Sequence, residues 1–175
     1  INDVPQITGQ RGIETDEDVA YTLLKEDFTI VDDDNPPSEL ELIVLGGDNY
    51  SVEGTTLTPD ENYYGPLQVG VKVSDPTSTS NTFQATVIVN SVNDPPIITG
   101  QKSTLEAKHL ITLEVKVSDL YFEDVDNNLN QLSVKIQPDP EEVYLANGNN
   151  LTVVKDTMGI IEVSVVLDDG QDYSN

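Results

Sequence analysis

The feature that most restricts the fold of this chain is an internal duplication. The segment Asn2–Gln10 (NDVPQITGQ) recurs as Asn93–Gln101 (NDPPIITGQ). Further matches follow in the same order with small insertions between them: Asp32, Asp34, Tyr50, Gly54, Leu57, Gly65, Val69 and Asp75 recur as Asp124, Asp126, Tyr144, Gly148, Leu151, Gly159, Val163 and Asp169. Matches kept in order at a spacing of roughly 92 residues identify a tandem repeat. The sequence therefore predicts two domains of the same architecture, 1–93 and 94–175.

Each repeat has the hydrophobic pattern of β-strands. Apolar and polar residues alternate over 67–73 and over its repeat partner 161–167, and again over 83–89 and 111–117. A period of two is typical of half-buried strands. Gly54 and Gly148 lie in short polar segments between such strands, where tight turns are expected. About seven short strands per repeat predict an all-β fold of two tandem, immunoglobulin-like Greek-key β-sandwiches.

The second repeat is predicted to lack its last strand. Ser174-Asn175 match Ser80-Asn81, and the strand that follows in the first repeat, 82–90, has no counterpart. We expect the exposed edge to weaken the second repeat or to invite pairing with another chain. The chain is expected to be a piece of a longer array.

Charge and composition exclude several classes of function. Eight basic and 32 acidic residues give a net charge of −24, so nucleic acid is not an expected partner. There is no cysteine and one histidine, His109, which argues against a transition-metal cluster or a catalytic triad. No apolar run is long enough for a membrane-spanning helix. We therefore expect a non-enzymatic protein whose carboxylates are screened by salt or neutralised by bound cations.

The acidic loops are predicted to meet where the two repeats join. If strand direction alternates along each sandwich, five segments converge there, and none of them contains Lys or Arg: 14–18, 60–62, 93–96, 124–130 and 168–169. Ca²⁺ takes roughly six to eight oxygen ligands from carboxylates, amides and water. The pattern thus favours a calcium site, with a salt-adapted acidic surface as the main alternative.

These motifs resemble the cadherin-like repeats of large bacterial surface adhesins, including RTX-type adhesins. The resemblance rests on the linker Asn93-Asp94-Pro95-Pro96, the Asp124-x-Asp126 loop, and 59–65 ahead of a strand that ends Val73-Ser74-Asp75. It implies calcium between consecutive repeats, with these ligands: Glu17, Asp60, Asn62, Asn93, Asp94, Asp124, Asp126 and Asp169. It also implies half of a site at the other end of the first repeat: Asp3, Asp32, Asp34 and Asp75.

The resemblance has departures and leaves alternatives open. Asn62 and Ser91 stand where cadherins place carboxylates, and Lys108-His109 replace Asp16-Glu17 in the second repeat. It implies a calcium-stiffened spacer, secreted to the bacterial cell surface, whose partners are neighbouring repeats and which supports adhesion. The alternatives are a module that binds a like repeat, a host protein or a glycan, and a salt-adapted spacer without calcium.

Overall fold

The computed structural model describes residues 2–175 and confirms the all-β prediction. Every regular element among these residues is a β-strand or a one-turn 3-10 helix. No helix within the described residues is long and apolar enough to cross a membrane. The chain divides into two compact units, Ile1–Val92 (unit 1) and Asn93–Asn175 (unit 2).

Unit 1 contains nine short strands. They are β1 (Gln6–Gln10), β2 (Glu14–Asp16), β3 (Tyr21–Thr22), β4 (Phe28–Val31), β5 (Glu41–Val44), β6 (Tyr50–Glu53), β7 (Thr56–Pro59), β8 (Gly65–Ser74) and β9 (Phe83–Asn90). One-turn 3-10 helices at Lys25–Asp27 and Pro37–Glu39 precede β4 and β5. The strands therefore follow the alternating segments that the sequence predicts.

Two main sheets form the sandwich of unit 1. One has the order β2-β9-β8-β5 and the other β3-β7-β6, while β1 pairs with β4. All pairs are antiparallel except β2 with β9, which run parallel. The first strand of the sandwich is thus split, because β1 lies beside β4 and β2 lies beside β9.

The core of unit 1 is built from the alternating residues of both sheets. Leu57 from the three-stranded sheet and Val69 and Val87 from the four-stranded sheet are completely enclosed in one apolar cluster. Their polar neighbours in the sequence face outward. The period of two read from the sequence is therefore the period of core and solvent faces.

Unit 2 repeats this arrangement with seven strands. They are β10 (Ile97–Gln101), β11 (Thr112–Glu114), β12 (Leu120–Glu123), β13 (Ser133–Ile136), β14 (Tyr144–Asn147), β15 (Asn150–Val153) and β16 (Val165–Asp168). The sheets are β10-β12, β11-β15-β14 and β13-β16, all antiparallel. Leu151, Val134 and Leu167 lie in its core.

Two strands predicted in unit 2 are shorter than their alternation indicated. Alternation over 111–117 gives a strand only at Thr112–Glu114, and a one-turn 3-10 helix follows at Val117–Asp119. Alternation over 161–167 gives a strand only at Val165–Asp168. Both predictions were wrong in extent, because a strand needs a hydrogen-bonded neighbour along its whole length as well as an apolar pattern.

Local geometry recurs between the units in detail. Both first strands contain a register shift at the same place, between Ile7 and Gly9 and between Ile98 and Gly100. Both also keep one buried serine, since the hydroxyl groups of Ser80 and Ser174 accept the N–H groups of Val73 and Leu167 at 3.0 and 2.9 Å. Equivalent positions in the two units can therefore be compared directly.

Candidate metal centre

In unit 1 the Asn2-Asp3 segment is tied to two acidic loops. The Asn2 side-chain amide donates to Asp75 Oδ2 and Ser78 Oγ, both at 3.1 Å. The Asp3 N–H donates to Asp34 Oδ2 at 2.7 Å. This segment therefore connects the loop after β4 with the loop after β8.

In unit 2 the same contacts recur. The Asn93 side-chain amide donates to Asp169 Oδ2 at 2.9 Å, and the Asp94 N–H donates to Asp126 Oδ2 at 2.8 Å. The Asn93 amide also reaches Asp172 Oδ2 at 3.1 Å. We call these two groupings the linker clusters: Asn2, Asp3, Asp32, Asp34, Asn35 and Asp75 in unit 1, and Asn93, Asp94, Asp124, Asp126, Asn127 and Asp169 in unit 2.

The first aspartate of each Asp-x-Asp loop shapes its own loop. Asp32 Oδ1 accepts the N–H groups of Asp34 and Asn35 at 3.0 and 2.6 Å. Asp124 Oδ1 accepts the corresponding N–H groups of Asp126 and Asn127 at the same distances. Such local side-chain to backbone bonds are typical of Asp at turns. One carboxylate oxygen of each Asp is thereby committed to the loop.

The other oxygen of each of these aspartates is buried without a hydrogen bond. Asp32 Oδ2, Asp124 Oδ2 and Asn35 Oδ1 are shielded from solvent and have no hydrogen-bond partner. A buried, unsatisfied oxygen costs free energy, and a carboxylate oxygen costs more than an amide oxygen. These atoms are the positions in the linker clusters where a cation would remove that cost.

Hydrogen bonds keep two of the clustered carboxylates ionised. The hydroxyl of Ser78, then the Thr77 N–H and the Asn2 amide, hold the pKa of the buried Asp75 carboxyl far below its ordinary value against the opposing effect of burial. The Asp172 N–H and the Asn93 side chain likewise lower the pKa of Asp169. Both groups are therefore negatively charged near neutral pH.

The remaining three predicted ligands, Glu17, Asp60 and Asn62, lie in unit 1 but are not members of its linker cluster. Glu17 follows β2 and is 4% exposed; its Oε1 accepts the Val92 N–H at 2.6 Å. Asp60 and Asn62 lie in the turn between β7 and β8, where Asn62 has φ 58° and its N–H donates to Asp18 Oδ1 at 3.1 Å. Their joint action with the ligands of unit 2 remains a prediction.

Several side chains at the linker clusters were not predicted from the sequence as ligands. They are Asn2, Asn35 and Asn127, together with Asp172, which lies outside the cluster of unit 2 but accepts a hydrogen bond from Asn93. Asn2 is the repeat partner of the predicted Asn93. Applying every predicted ligand to both repeats would have found it. Within residues 2–175, no three Asp, Glu, His or Cys side chains converge as a ready-made metal centre. Amide and backbone oxygens are the further donors that these clusters offer.

Comparison with known proteins adds a similarity of fold only. No family model and no curated protein matches the chain. Among solved structures it is similar to the protocadherin GammaB4 extracellular domain, at 15% identity and TM-score 0.49 over 99% of this chain and 32% of that one. It is similar to protocadherin gammaB7 EC3-6, at 14% identity and TM-score 0.49 over 99% and 49%. It is also similar to the human desmocollin-1 ectodomain, at 14% identity and TM-score 0.46 over 97% and 38%.

The chain thus spans a third to a half of those three proteins. At this identity and TM-score the similarity does not establish a shared family or activity.

Proposed function

We propose that this chain is a pair of calcium-stiffened extracellular spacer repeats from a bacterial surface adhesin, and that it is not an enzyme. The observation that supports this proposal is the linker cluster, which occurs with the same bonds in both units. A cluster maintained in two diverged copies is a property of the repeat. A function that every repeat of an array performs is more readily explained as mechanical than as catalytic.

The donors fit calcium better than other metals. They are carboxylate and amide oxygens, which are the ligands of hard cations such as Ca²⁺, and they include no sulfur or imidazole. Asp32, Asn35 and Asp75 would hold the ion in unit 1, and Asp124, Asp126 and Asp169 in unit 2. We propose that the ion first contacts the Oδ2 atoms of Asp32 and Asp124, which are buried and have no hydrogen bond. We also propose that Glu17, Asp60 and Asn62 contribute ligands.

Stiffening follows from what these clusters connect. In each unit the Asn-Asp segment that precedes the first strand is held to the body of the sandwich through carboxylates. Without a counter-ion those carboxylates repel one another and loosen the attachment. A bound Ca²⁺ supplies positive charge between them, so the segment and the loops move together. An array of such repeats would then resist bending.

Thermal unfolding and calorimetric titration of the whole chain test calcium binding. The chain is compared in EDTA, in about 1 mM CaCl₂, in equal MgCl₂ and in NaCl of matched ionic strength. At a calcium concentration of about 100 times Kd, binding adds about 2.7 kcal/mol to the stability of the folded state. A rise in Tm that calcium alone produces supports the proposal. An equal rise in NaCl would indicate a salt-adapted spacer.

One loop provides a matched pair of variants. Asp32→Asn removes the carboxylate whose Oδ2 is buried and bare, whereas Asp33→Asn removes an exposed carboxylate next to it. We expect Asp32→Asn, combined with Asp124→Asn, to weaken calcium binding at least tenfold. Asp33→Asn should leave the affinity within about twofold, because the repeat partner of Asp33 is Val125. Equal losses would exclude the linker clusters as the binding sites.

Hydrogen exchange tests the stiffening itself. If calcium fixes the Asn-Asp segment to the sandwich, the backbone amides of residues 92–94, 97 and 98 should exchange more slowly in calcium than in EDTA. Amides of the core strands β7 and β8 serve as the internal reference. If calcium binds but the exchange of these amides does not slow, the chain binds calcium and the proposed stiffening function is contradicted.

A further inference from the structure

Glycine follows Asn or Asp at two places in this chain. Asn147-Gly148 is its only Asn-Gly pair and Asp169-Gly170 its only Asp-Gly pair. In such a pair the glycine nitrogen can attack the side-chain carbonyl carbon of the residue before it. The reaction closes a five-membered ring, and glycine has no Cβ to hinder the approach. The folded structure decides which of the two pairs is free to react.

Asn147 is the last residue of β14, at a two-residue hairpin turn. It lies opposite Asn150 of β15, and Gly148 opens the turn with φ 62°. Glycine with a positive φ at this position is typical of such turns. Asn147 and Gly148 are both exposed. Within residues 2–175, neither the Asn147 side chain nor the Gly148 N–H makes a hydrogen bond. Both reacting groups are therefore free.

Both reacting groups of Asp169-Gly170 are instead held by hydrogen bonds. The Asp169 carboxylate accepts two backbone N–H groups of its own loop, at 2.6 and 2.7 Å, and the Asn93 amide at 2.9 Å. The Gly170 N–H donates to Asp168 Oδ1 at 2.9 Å. Attack requires the carboxyl group to turn toward the Gly170 nitrogen, so these bonds must break first. This pair is therefore protected in the folded chain.

Unit 1 has the same hairpin turn without a reactive pair. The equivalent of Asn147-Gly148 is Glu53-Gly54, with φ 64° at Gly54. A glutamate side chain is one carbon longer and would have to close a less favourable six-membered ring. The equivalent of Asp169-Gly170 is Asp75-Pro76, and the proline nitrogen carries no hydrogen. Unit 1 thus lacks the reaction that unit 2 can undergo.

We propose that Asn147 is a site of spontaneous deamidation in the folded chain. The Gly148 nitrogen attacks Cγ of Asn147, and the side-chain nitrogen leaves as ammonia after it takes up the proton of the attacking N–H. Water then opens the cyclic imide at either of its carbonyl groups. One opening gives aspartate, and the other gives isoaspartate, in which the main chain runs through Cβ and Cγ. No oxidant or metal is needed, so the proposal does not depend on calcium.

Both products alter unit 2 at the outer face of its three-stranded sheet. Asn147 lies opposite Asn150, which lies opposite Glu114 on its other side. A carboxylate at position 147 therefore adds negative charge to a row of residues that already carries one. Isoaspartate also lengthens the main chain at the turn, where the Gly148 carbonyl accepts the Ile136 N–H at 2.8 Å. That bond holds the hairpin to β13, so we expect the reaction to loosen unit 2 there.

Incubation of the whole chain for several weeks in EDTA, at neutral pH and physiological temperature, tests the proposal. Mass-spectrometric peptide mapping locates the product, and electron-transfer fragmentation distinguishes isoaspartate from aspartate. Synthetic peptides of residues 144–152 and 166–174 give the rates without the fold. We expect Asn147 to react in the folded chain within about threefold of its peptide rate. Asp169 should react at least about tenfold more slowly than in its peptide, because its hydrogen bonds must break first.

Two variants of the hairpin make the assignment specific. Asn147→Gln keeps an amide but requires the six-membered ring, so the acidic product should disappear. Asn150→Gln changes the exposed asparagine on the opposite strand, which is followed by leucine, and should leave the rate at Asn147 unchanged. An Asn147 that stays intact in the folded chain while its peptide reacts would overturn the proposal, as would equal protection of Asn147 and Asp169 by the fold.

Hydrogen exchange of the incubated chain tests the structural consequence. The Ile136 N–H should exchange faster in the reacted chain than in the fresh chain, whereas the amides of β8 should be unchanged. The incubated Asn147→Gln variant should show no difference at Ile136. Equal exchange at Ile136 before and after the reaction would overturn the predicted loosening of unit 2.

Discussion

The difference in enclosure between the two units can be measured with one substitution made twice. Val69 and Val163 are repeat partners, and both are followed two residues later by a valine that pairs with the neighbouring strand. Val69 lies on β8 beside β9 in the same sheet and is completely enclosed, whereas Val163 is half-buried. Val69→Ala and Val163→Ala remove the same atoms from two environments, which differ in whether a second strand lies beside the valine.

The expected costs follow from burial. Removing about two buried methylene equivalents costs about 1.6 kcal/mol. A cavity of about 40 Å³ that cannot collapse adds about 1 kcal/mol. Val69→Ala should therefore lower the stability of unit 1 by about 2.5 kcal/mol. At Val163 about half of the side chain is already in water and no closed cavity forms, so about 0.8 kcal/mol is expected.

Hydrogen exchange measured by mass spectrometry reads the two units separately in one intact chain. The slowest amides of β8 and of β16 report the opening of unit 1 and unit 2. The difference of about 1.7 kcal/mol means that Val69→Ala should raise the exchange rate by a factor about 17 times greater than Val163→Ala does.

Leu57→Ala and Leu151→Ala provide the control, since these partners are 0% and 3% exposed and should cost nearly the same. Equal effects of the two valine variants would mean that Val163 is as well covered as Val69, which would refute the difference in enclosure.

Three further predictions concern unit 1. Asp27 is completely buried and accepts the Leu24 N–H at 2.8 Å while it pairs with Arg11. Asp27→Ala should cost about 3 kcal/mol in urea unfolding, because it removes a buried carboxylate together with its hydrogen bond and its ion pair. The lowered pKa of Asp75 means that its ionised form stabilises the folded state above about pH 4, and that this contribution is lost as the pH falls through the lowered pKa. Tm should therefore drop more steeply below pH 4 in the wild-type chain than in Asp75→Asn. A Cβ at Gly47 would lie 2.6 Å from the Tyr50 hydroxyl, so Gly47→Ala should lower Tm and change the near-UV signal of tyrosine.

Much of the fold could be predicted because burial in a sandwich has the same period as its sequence. The alternation over 67–73 indicates which face of β8 is buried, and the repeat carries that result to 161–167. The parallel pairing of β2 with β9 could not be predicted in this way, because it depends on which sheet edge is free and not on side-chain pattern. For the same reason the alternation over 161–167 overestimated the length of β16.

The candidate site was predictable in composition and less so in detail. The acidic loops and the Asn-Asp segments stand out because they recur, and the structure brings Asn93 to Asp169 and Asp94 to Asp126 within unit 2. The bare oxygens of Asp32, Asn35 and Asp124 depend on loop conformation, since Asp32 and Asp124 each turn one oxygen toward backbone N–H groups and leave the other bare. That choice has no signature in residue type.

The parallel alignment of β2 and β9 has a consequence when unit 1 is under tension. The chain enters β2 from one end of the strand pair and leaves β9 at the other, so pulling on the segments before β2 and after β9 slides the two strands past each other. The hydrogen bonds between β2 and β9 then bear the force together. Two flanking bonds share it, from the Ile88 N–H to the Ile13 carbonyl and from the Glu17 N–H to the Asn90 carbonyl. Antiparallel hairpins pulled from adjacent ends instead open one bond at a time. Unit 1 is therefore expected to resist stretching until the whole ladder breaks in one step.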